Sequence, residues 1–178
     1  MKTLGTVIAL TWALTSCTTN IKPMSPAVQK IGDGEYRVIG KLHQEEYDTI
    51  MSIVESNKDK RLSFFVTSYG GTSDDLIQSM DTVYNHGNVH WYSVDNCDSA
   101  CAVMALSTKH AHGKFRLHSF FSRRHHIVHE APQYNRMILD KLESYGYHRD
   151  ELSYMFNTVN DLWLITVNDD KIDVVGIR

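Results

Sequence analysis

Proline and long stretches of one charge are both scarce in this sequence. Three prolines and ten glycines among 178 residues are too few for long disordered tracts. The 18 Lys and Arg residues nearly balance the 21 Asp and Glu residues, and no basic run is long enough to predict binding to nucleic acid. With 42% hydrophobic residues, the chain is expected to form one domain with a substantial core.

The apolar run near the amino terminus, Leu4 to Leu14, is too short to span a bilayer. Preceded by Lys2, it has the organisation of a secretion signal covering residues 1–16.

Leu14-Thr15-Ser16-Cys17 resembles a bacterial lipobox, in which the cysteine is acylated and becomes the mature terminus. The alternative is an ordinary signal peptide with an incidental cysteine. We expect a cell-envelope protein, anchored by lipid at Cys17 and facing the periplasm or the outside. Residues 17–34 would then be the lipidated cysteine and a tether, and residues 35–178 the domain.

Cysteine is also scarce, since only Cys97 and Cys101 remain if Cys17 carries lipid. One remaining pair in an exported protein favours a disulfide, and residues four apart at a helix start are close enough to form one. Two buried free thiols are an equal alternative. Zinc binding is less favoured, because no second ligand pair occurs at a suitable spacing.

Strands and helices alternate along the domain, which predicts an α/β fold with a parallel sheet and right-handed crossovers. Ligands in such sheets collect at the carboxyl ends of the strands. The predicted strands are Tyr36–Gly40, Arg61–Thr67, Val89–Val94 and Lys114–Ser119. The predicted helices are Gln44–Ser56, one capped by Thr72 or Ser73, one after Ser99, Gln133–Tyr145 and Arg149–Val159.

Three features at these strand ends suggest nucleophilic catalysis. Ser99 lies between a strand and an apolar helix, on a sharp turn that would present its hydroxyl beside free backbone N–H groups. The alternative is that Ser99 only caps the helix. Gly70-Gly71 would bring backbone N–H groups close without a Cβ in the way. His118 ends another strand, and imidazole is the usual base for a serine.

These motifs resemble the Clp protease/crotonase superfamily, and most closely its exported ClpP-like serine hydrolases. The motifs are Ser68-x-Gly-Gly, Cys-x-Ser-Ala-Cys about thirty residues later, and a strand ending in His-Ser, within residues 35–177. The resemblance implies a spiral of β-β-α units with a parallel sheet and C-terminal helices. It implies Ser99 as nucleophile, His118 as base, Asp161 as the orienting acid, and an oxyanion hole at Gly70, Gly71 and Ala100. It also implies that Asp173–Ile177 forms a final helix.

The sequence departs from that family pattern at several positions around the motifs. Tyr69 stands where the family has proline, and Arg116-Leu117 stand where glycine often precedes the histidine. Asp98 places a carboxylate where a small neutral residue is common. The interval from Ser99 to His118 is also a few residues shorter than usual.

A cluster of histidines raises the possibility of a metal site. The cluster comprises His110, His112, His125, His126 and His129. The run from His126 to Glu130 matches neither order found in zinc proteases, so we assign no metal ligand. Residues 120–131 are predicted to form a mobile surface segment over the site.

Together these features predict a lipid-anchored, ATP-independent serine hydrolase of the peptidase type. It would act on peptides or proteins without a cofactor, contact the membrane through its N-terminal lipid and bind no nucleic acid. The family resemblance also implies a homo-oligomer. Two alternatives stay open: a catalytically inert ClpP-like binding module, and a histidine-rich metal-binding lipoprotein.

The lipobox makes a prediction that can be tested in cells. Replacing Cys17 by serine removes the acylated thiol, so Cys17→Ser should leave the membrane fraction or remain unprocessed. Fractionation and mass spectrometry of the mature terminus measure this, and Ser16→Ala, which keeps a small residue beside the cysteine, serves as the control. An unchanged membrane fraction and mature terminus would contradict the lipobox assignment.

Overall fold

A computed structural model describes residues 24–25, 27–124, 127–156, 163–169 and 171–177. Its strands are β1 (Val28–Gly32), β2 (Glu35–Ile39), β3 (Leu62–Ser68), β4 (Val89–Cys97), β5 (His110–Leu117), β6 (Phe121–Arg124), β7 (Ile127–Glu130), β8 (Trp163–Asp169) and β9 (Lys171–Ile177). Its helices are α1 (Gln44–Ser56), α2 (Ser73–His86), α3 (Ala100–Leu106), α4 (Pro132–Ser144) and α5 (Arg149–Ser153), followed by a 3-10 turn at Tyr154–Phe156.

Seven strands form one sheet in the order β1-β2-β3-β4-β5-β8-β9. The four strands β2 to β5 are parallel to one another, while the strands at both edges pair antiparallel. The predicted α/β fold with a parallel sheet is therefore confirmed, with α1, α2 and α3 as the connections between neighbouring parallel strands. The carboxyl ends of β3, β4 and β5 lie side by side.

The core explains why these segments form strands and helices. Phe64, Trp91 and Phe115 occupy inward positions on adjacent strands and are fully buried, and the rings of Phe64 and Trp91 lie 5.5 Å apart. Helices α1 and α2 each bury one apolar face. All seven residues of α3 are buried, so this helix runs through the interior, as its continuous apolar sequence predicted.

The sheet begins earlier than the predicted domain boundary at residue 35. Strand β1 pairs antiparallel with β2 inside the segment predicted as a tether, residues 17–34. Val28 is buried in the core, and the Ser25 hydroxyl donates a 2.6 Å hydrogen bond to the buried Glu46 carboxylate. These contacts hold Ser25 and β1 on the domain. Residues 1–23, with Cys17, lie outside the described residues.

Three further expectations are corrected by the structure. Strands β6 and β7 form an antiparallel hairpin where a mobile segment was predicted, and the Ala131 N–H closes it on the Phe120 carbonyl. Residues 173–177 belong to strand β9 and not to a final helix, because β-branched residues there pair with β8. Helix α5 ends at Ser153, well before the predicted Val159. Within the described residues, no helix is long and apolar enough to cross a bilayer.

Candidate active site

Ser99 occupies a strained backbone conformation between β4 and α3. Its φ is 55° and its ψ is −121°, and it is the one non-glycine residue with a positive φ among those the structure describes. A non-glycine residue held in such a region costs about 1–3 kcal/mol and persists only where its surroundings fix it. Strain of this kind concentrates at functional sites, where it presents a side chain in a required direction.

Neighbouring strand ends fix the Ser99 turn through the backbone. The Asp98 N–H donates to the Ser68 carbonyl at 2.9 Å, which ties the turn to the end of β3. The Ser99 N–H donates to the Arg116 carbonyl at 2.8 Å, which ties it to β5. The turn is therefore held on both sides by the parallel sheet.

Cys97 and Cys101 are joined by a disulfide that encloses Ser99. Their Cα atoms are 5.2 Å apart, and both residues are fully buried. Of the two alternatives that the sequence left open, the structure has the disulfide. It bridges the last residue of β4 and the first turn of α3, so it restricts the segment that carries the serine.

Gly70 and Gly71 cannot carry a side chain without displacing the site. Gly70 has a φ of +94°, and a Cβ there would lie 2.7 Å from the Ser99 Cβ. A Cβ on Gly71 would lie 1.7 Å from the Leu42 carbonyl oxygen. Leu42 lies this close because its backbone pairs with the loop. The Leu42 N–H donates to the Gly70 carbonyl, and the Thr72 N–H donates to the Leu42 carbonyl.

Two backbone donors beside Ser99 have no acceptor among the described residues: the N–H groups of Gly71 and Ala100. Ala100 begins α3, where the first N–H groups lack partners within the helix. The third predicted donor, the Gly70 N–H, is occupied by the Ser68 hydroxyl at 3.1 Å. Of the predicted oxyanion donors, Gly71 and Ala100 are thus the available ones.

His118 follows the last residue of β5, and its ring has a defined tautomer. Its Nδ1 lies 2.7 Å from the Ser119 carbonyl oxygen. A carbonyl can only accept, so Nδ1 carries the proton and Nε2 is left as the basic nitrogen. Burial lowers the pKa of His118, and the Ser119 carbonyl and the Asp98 carboxylate partly oppose that shift.

One cavity of about 260 Å³ brings the predicted residues together. Ser99, His118, Gly70 and Gly71 line it. The rest of its wall, which the sequence did not predict, consists of Lys41, His43, Tyr69, Thr72, Phe120 and Phe121. Asp161 lies outside the described residues, so its place as the third catalytic residue stays a prediction.

An ion pair beside the site was also missed from the sequence. Arg116 binds Asp98 through two hydrogen bonds, Nε to Oδ1 at 2.6 Å and Nη2 to Oδ2 at 2.7 Å. Both side chains are partly buried, with exposed fractions of 25% for Arg116 and 11% for Asp98. The signal that could have found it was present, since both residues depart from the family pattern.

The structure does not bring the described members of the predicted histidine cluster together as a metal site. His110 and His112 lie on β5 and stack with His90 of β4, with the rings of His90 and His110 4.3 Å apart, whereas His129 lies on β7 of the other sheet. Among the described residues, no group of three or more His, Cys, Asp or Glu side chains is arranged to hold a metal ion. His125 and His126 lie outside the described residues.

Solved structures share this architecture, whereas no family model and no curated protein matches the chain. A peptidase from Plasmodium falciparum superposes with a TM-score of 0.58 over 77% of this chain and 90% of its own, at 11% identity. The ClpP protease catalytic domain from the same organism gives 0.51 over 75% of each chain, at 10% identity. A membrane-bound stomatin-specific protease gives 0.53 over 68% of this chain and 67% of its own, at 14% identity. The chain therefore has the ClpP/crotonase-like fold.

The disulfide around Ser99 should contribute measurably to stability. Closing a loop this short removes about 2 kcal/mol of chain entropy from the unfolded state. The double variant Cys97→Ala/Cys101→Ala should lose about that much in urea unfolding. When the wild type is unfolded in urea with dithiothreitol present, which reduces the disulfide, its unfolding midpoint should fall by a similar amount. The same reductant should leave the midpoint of the double variant unchanged. A wild-type midpoint that reduction leaves unchanged would contradict a disulfide here.

Proposed function

We propose that this protein is a serine hydrolase that cleaves peptides or proteins, with Ser99 as nucleophile and His118 as general base. The observation that carries the proposal is a single cavity lined by both residues, where Ser99 occupies a strained turn beside two backbone N–H groups that have no acceptor in the part of the chain that the structure describes. The fold adds support, because solved structures that share it are described as peptidases.

The chemistry follows from the protonation states. His118 Nε2 takes the hydroxyl proton as Ser99 Oγ attacks the substrate carbonyl carbon, and the carbonyl π bond opens onto oxygen. The resulting oxyanion accepts hydrogen bonds from the Gly71 and Ala100 N–H groups. His118 then gives its proton to the leaving amine as the carbon–nitrogen bond breaks. Water, activated in the same way, hydrolyses the acyl-enzyme and regenerates Ser99. No ATP or cofactor enters these steps.

Two features determine the tautomer and the protonation state of the His118 imidazole. The Ser119 carbonyl fixes the tautomer through Nδ1, and burial keeps the ring neutral and therefore basic near neutral pH. The family resemblance implies Asp161 as the orienting acid, a role in which its carboxylate would take the place of the Ser119 carbonyl at Nδ1.

The cellular setting that we propose is the bacterial envelope, with lipid on Cys17 and the domain facing the periplasm or the outside. The Cys97–Cys101 disulfide supports an oxidising compartment, because such bonds are rare in the cytosol. We also propose that the protein forms homo-oligomers, and this part of the proposal rests on the fold alone.

A second candidate is an inert binding module with the same fold. The observation that favours it is the bond at His118 Nδ1, which goes to a backbone carbonyl where a catalytic triad has a carboxylate. Covalent labelling of Ser99 separates the two candidates.

The nucleophile and base should act as one unit. Ser99→Ala and His118→Ala should each lower peptide hydrolysis by about 10⁴-fold or more, and the double variant should lose no more than either single one. Fluorophosphonate labelling of Ser99 should disappear in Ser99→Ala. The exposed residues Ser56 and His148 provide matched controls, since Ser56→Ala and His148→Ala should leave both readouts unchanged. Labelling that survives Ser99→Ala would contradict the proposal.

The lowered pKa of His118 sets the pH dependence of the same activity. The base works only when neutral, so kcat/KM should be full above the pKa of His118 and fall as pH drops through it. Because burial lowers that pKa, the acid limb should lie below 6.5, the ordinary value for histidine. An acid limb above 6.5 would contradict the assignment.

A further inference from the structure

We propose that the Asp98–Arg116 ion pair positions Ser99 against His118, an inference that rests on the proposed function. Asp98 immediately precedes the nucleophile, and Arg116 lies two residues before the base. The pair therefore connects the two chain segments that must meet for proton transfer. Asp98 and Arg116 are also the two charged residues that depart from the family pattern, and each provides the other with a partner of opposite charge.

The geometry joins the segments through backbone and side chain together. The Arg116 carbonyl accepts the Ser99 N–H at 2.8 Å, and its guanidinium holds both Asp98 carboxylate oxygens at 2.6 and 2.7 Å. A fork of two parallel hydrogen bonds fixes direction as well as distance, which a lysine ammonium cannot do. Because both side chains are partly buried, solvent screens their attraction less than it screens that of an exposed ion pair.

The same pair balances the charge near the base. The Asp98 carboxylate favours the protonated imidazole of His118. The Arg116 guanidinium binds that carboxylate, so removing Arg116 would leave the negative charge unpaired. Among the described residues that line the cavity with His118, the other ionisable groups are Lys41, His43 and Tyr69. The rings of Phe120 and Phe121 lie 6.4 and 5.6 Å from the imidazole. Removing one partner therefore leaves the other charge uncompensated beside His118.

Removing the two charges of the pair one at a time should shift the pKa of His118 in opposite directions. Arg116→Gln should raise the pKa of His118, and Asp98→Asn should lower it. A purely structural role would instead move the pKa in the same direction in both variants, or not at all. Ring-labelled histidine NMR titration measures this, with the His118 signal assigned from a His118→Gln variant.

Labelling kinetics separate positioning from charge. Arg116→Lys keeps the charge but loses the fork, so it should leave the pKa of His118 near wild type while slowing fluorophosphonate labelling of Ser99 about tenfold. The double variant Asp98→Asn/Arg116→Gln should restore the pKa but not the labelling rate. Asp81→Asn, which breaks an exposed ion pair with Lys141, should change neither.

Failure of this inference differs from failure of the proposed function. If wild-type Ser99 never labels, the hydrolase proposal is wrong, and the NMR titration still tests the charge balance. If Arg116→Lys labels as fast as wild type, or if both single variants move the pKa the same way, the positioning role is wrong. If Arg116→Lys does not fold, Asp98→Glu takes its place in the labelling test, because it keeps the carboxylate but displaces it on a longer chain; labelling as fast as wild type would again contradict the positioning role.

A different observation, the composition of the cavity wall, points to the class of substrate. Leu42 is fully buried and bridges Gly71, so alternation along the chain puts Lys41 and His43 on the opposite side, where both line the cavity. No carboxylate occurs among the described lining residues. Three acids next to the wall already accept hydrogen bonds: Asp98 from Arg116, Asp75 from the Thr72 hydroxyl, and Glu46 from the Ser25 hydroxyl and the His43 N–H.

We infer that the cavity favours peptides with a carboxylate side chain beside the cleaved bond, again on the basis of the proposed function. Lys41 is the one formally charged lysine or arginine in the described wall and would attract that group. The exposed rings of Tyr69 and Phe121 give the same wall an apolar surface for the peptide chain.

Matched peptides test this preference. Dansylated peptides differing only by glutamate or glutamine beside the cleaved bond should show a higher kcat/KM for glutamate. Lys41→Gln should lower that ratio roughly fivefold, the size of one solvent-exposed ion pair, and Lys41→Glu should invert it. Lys60→Gln is the control, because Lys60 precedes β3, on the order of 20 Å from the cavity end of that strand.

Binding measurements keep the test independent of activity. Fluorescence anisotropy with Ser99→Ala protein should show the same glutamate preference, reduced by Lys41→Gln and by high salt. A glutamate-to-glutamine ratio near one, or one that Lys41→Gln leaves unchanged, would overturn the inference. Absence of hydrolysis with the binding preference retained would instead count against the hydrolase proposal alone.

Discussion

The backbone of Ser99 is the constraint on which this site depends. A positive φ at a serine costs about 1–3 kcal/mol, so surrounding interactions must hold the turn in place. The carbonyls of Ser68 and Arg116 accept its N–H groups, and the disulfide closes the loop around it. The disulfide alone is worth about 2 kcal/mol, which is comparable to the strain. The strained conformation is thus retained because the sheet and the disulfide together outweigh its cost.

Sheet topology explains how distant segments reach the same cavity. Strands β3, β4 and β5 are adjacent and parallel, so the glycine loop, the serine turn and His118 all emerge at one edge. The pairing of β3 with β4 shifts register between Val66 and Ser68, which face Ser93 and Cys97 respectively. Two extra residues of β4 are accommodated there, and Cys97 comes level with Ser68. Because of this shift, the Ser99 turn begins level with the end of β3.

Local patterns could predict residues that share one cavity but not the pairings between them. Gly70-Gly71, Ser99 and His118 line that cavity, and they could be picked out because strand ends and turn chemistry are encoded within a few residues. The Asp98–Arg116 pair depends on β4 lying beside β5, and the Lys41 wall depends on the bridge between Leu42 and Gly71. Strand β1, the β6–β7 hairpin and β9 were missed because only pairing with partners distinguishes them from loop or helix.

The electrostatics of His118 separate two tasks that one carboxylate performs in a catalytic triad. The neutral Ser119 carbonyl orients the ring, while a negative charge comes from Asp98, which is itself paired with Arg116. Burial lowers the pKa of the imidazole, and the Ser119 carbonyl and the Asp98 carboxylate oppose that shift only in part. Among the described residues, Asp98 acts on the ring through its charge and not through a hydrogen bond. Orientation and charge therefore come from different residues, and substitution can change one while leaving the other in place.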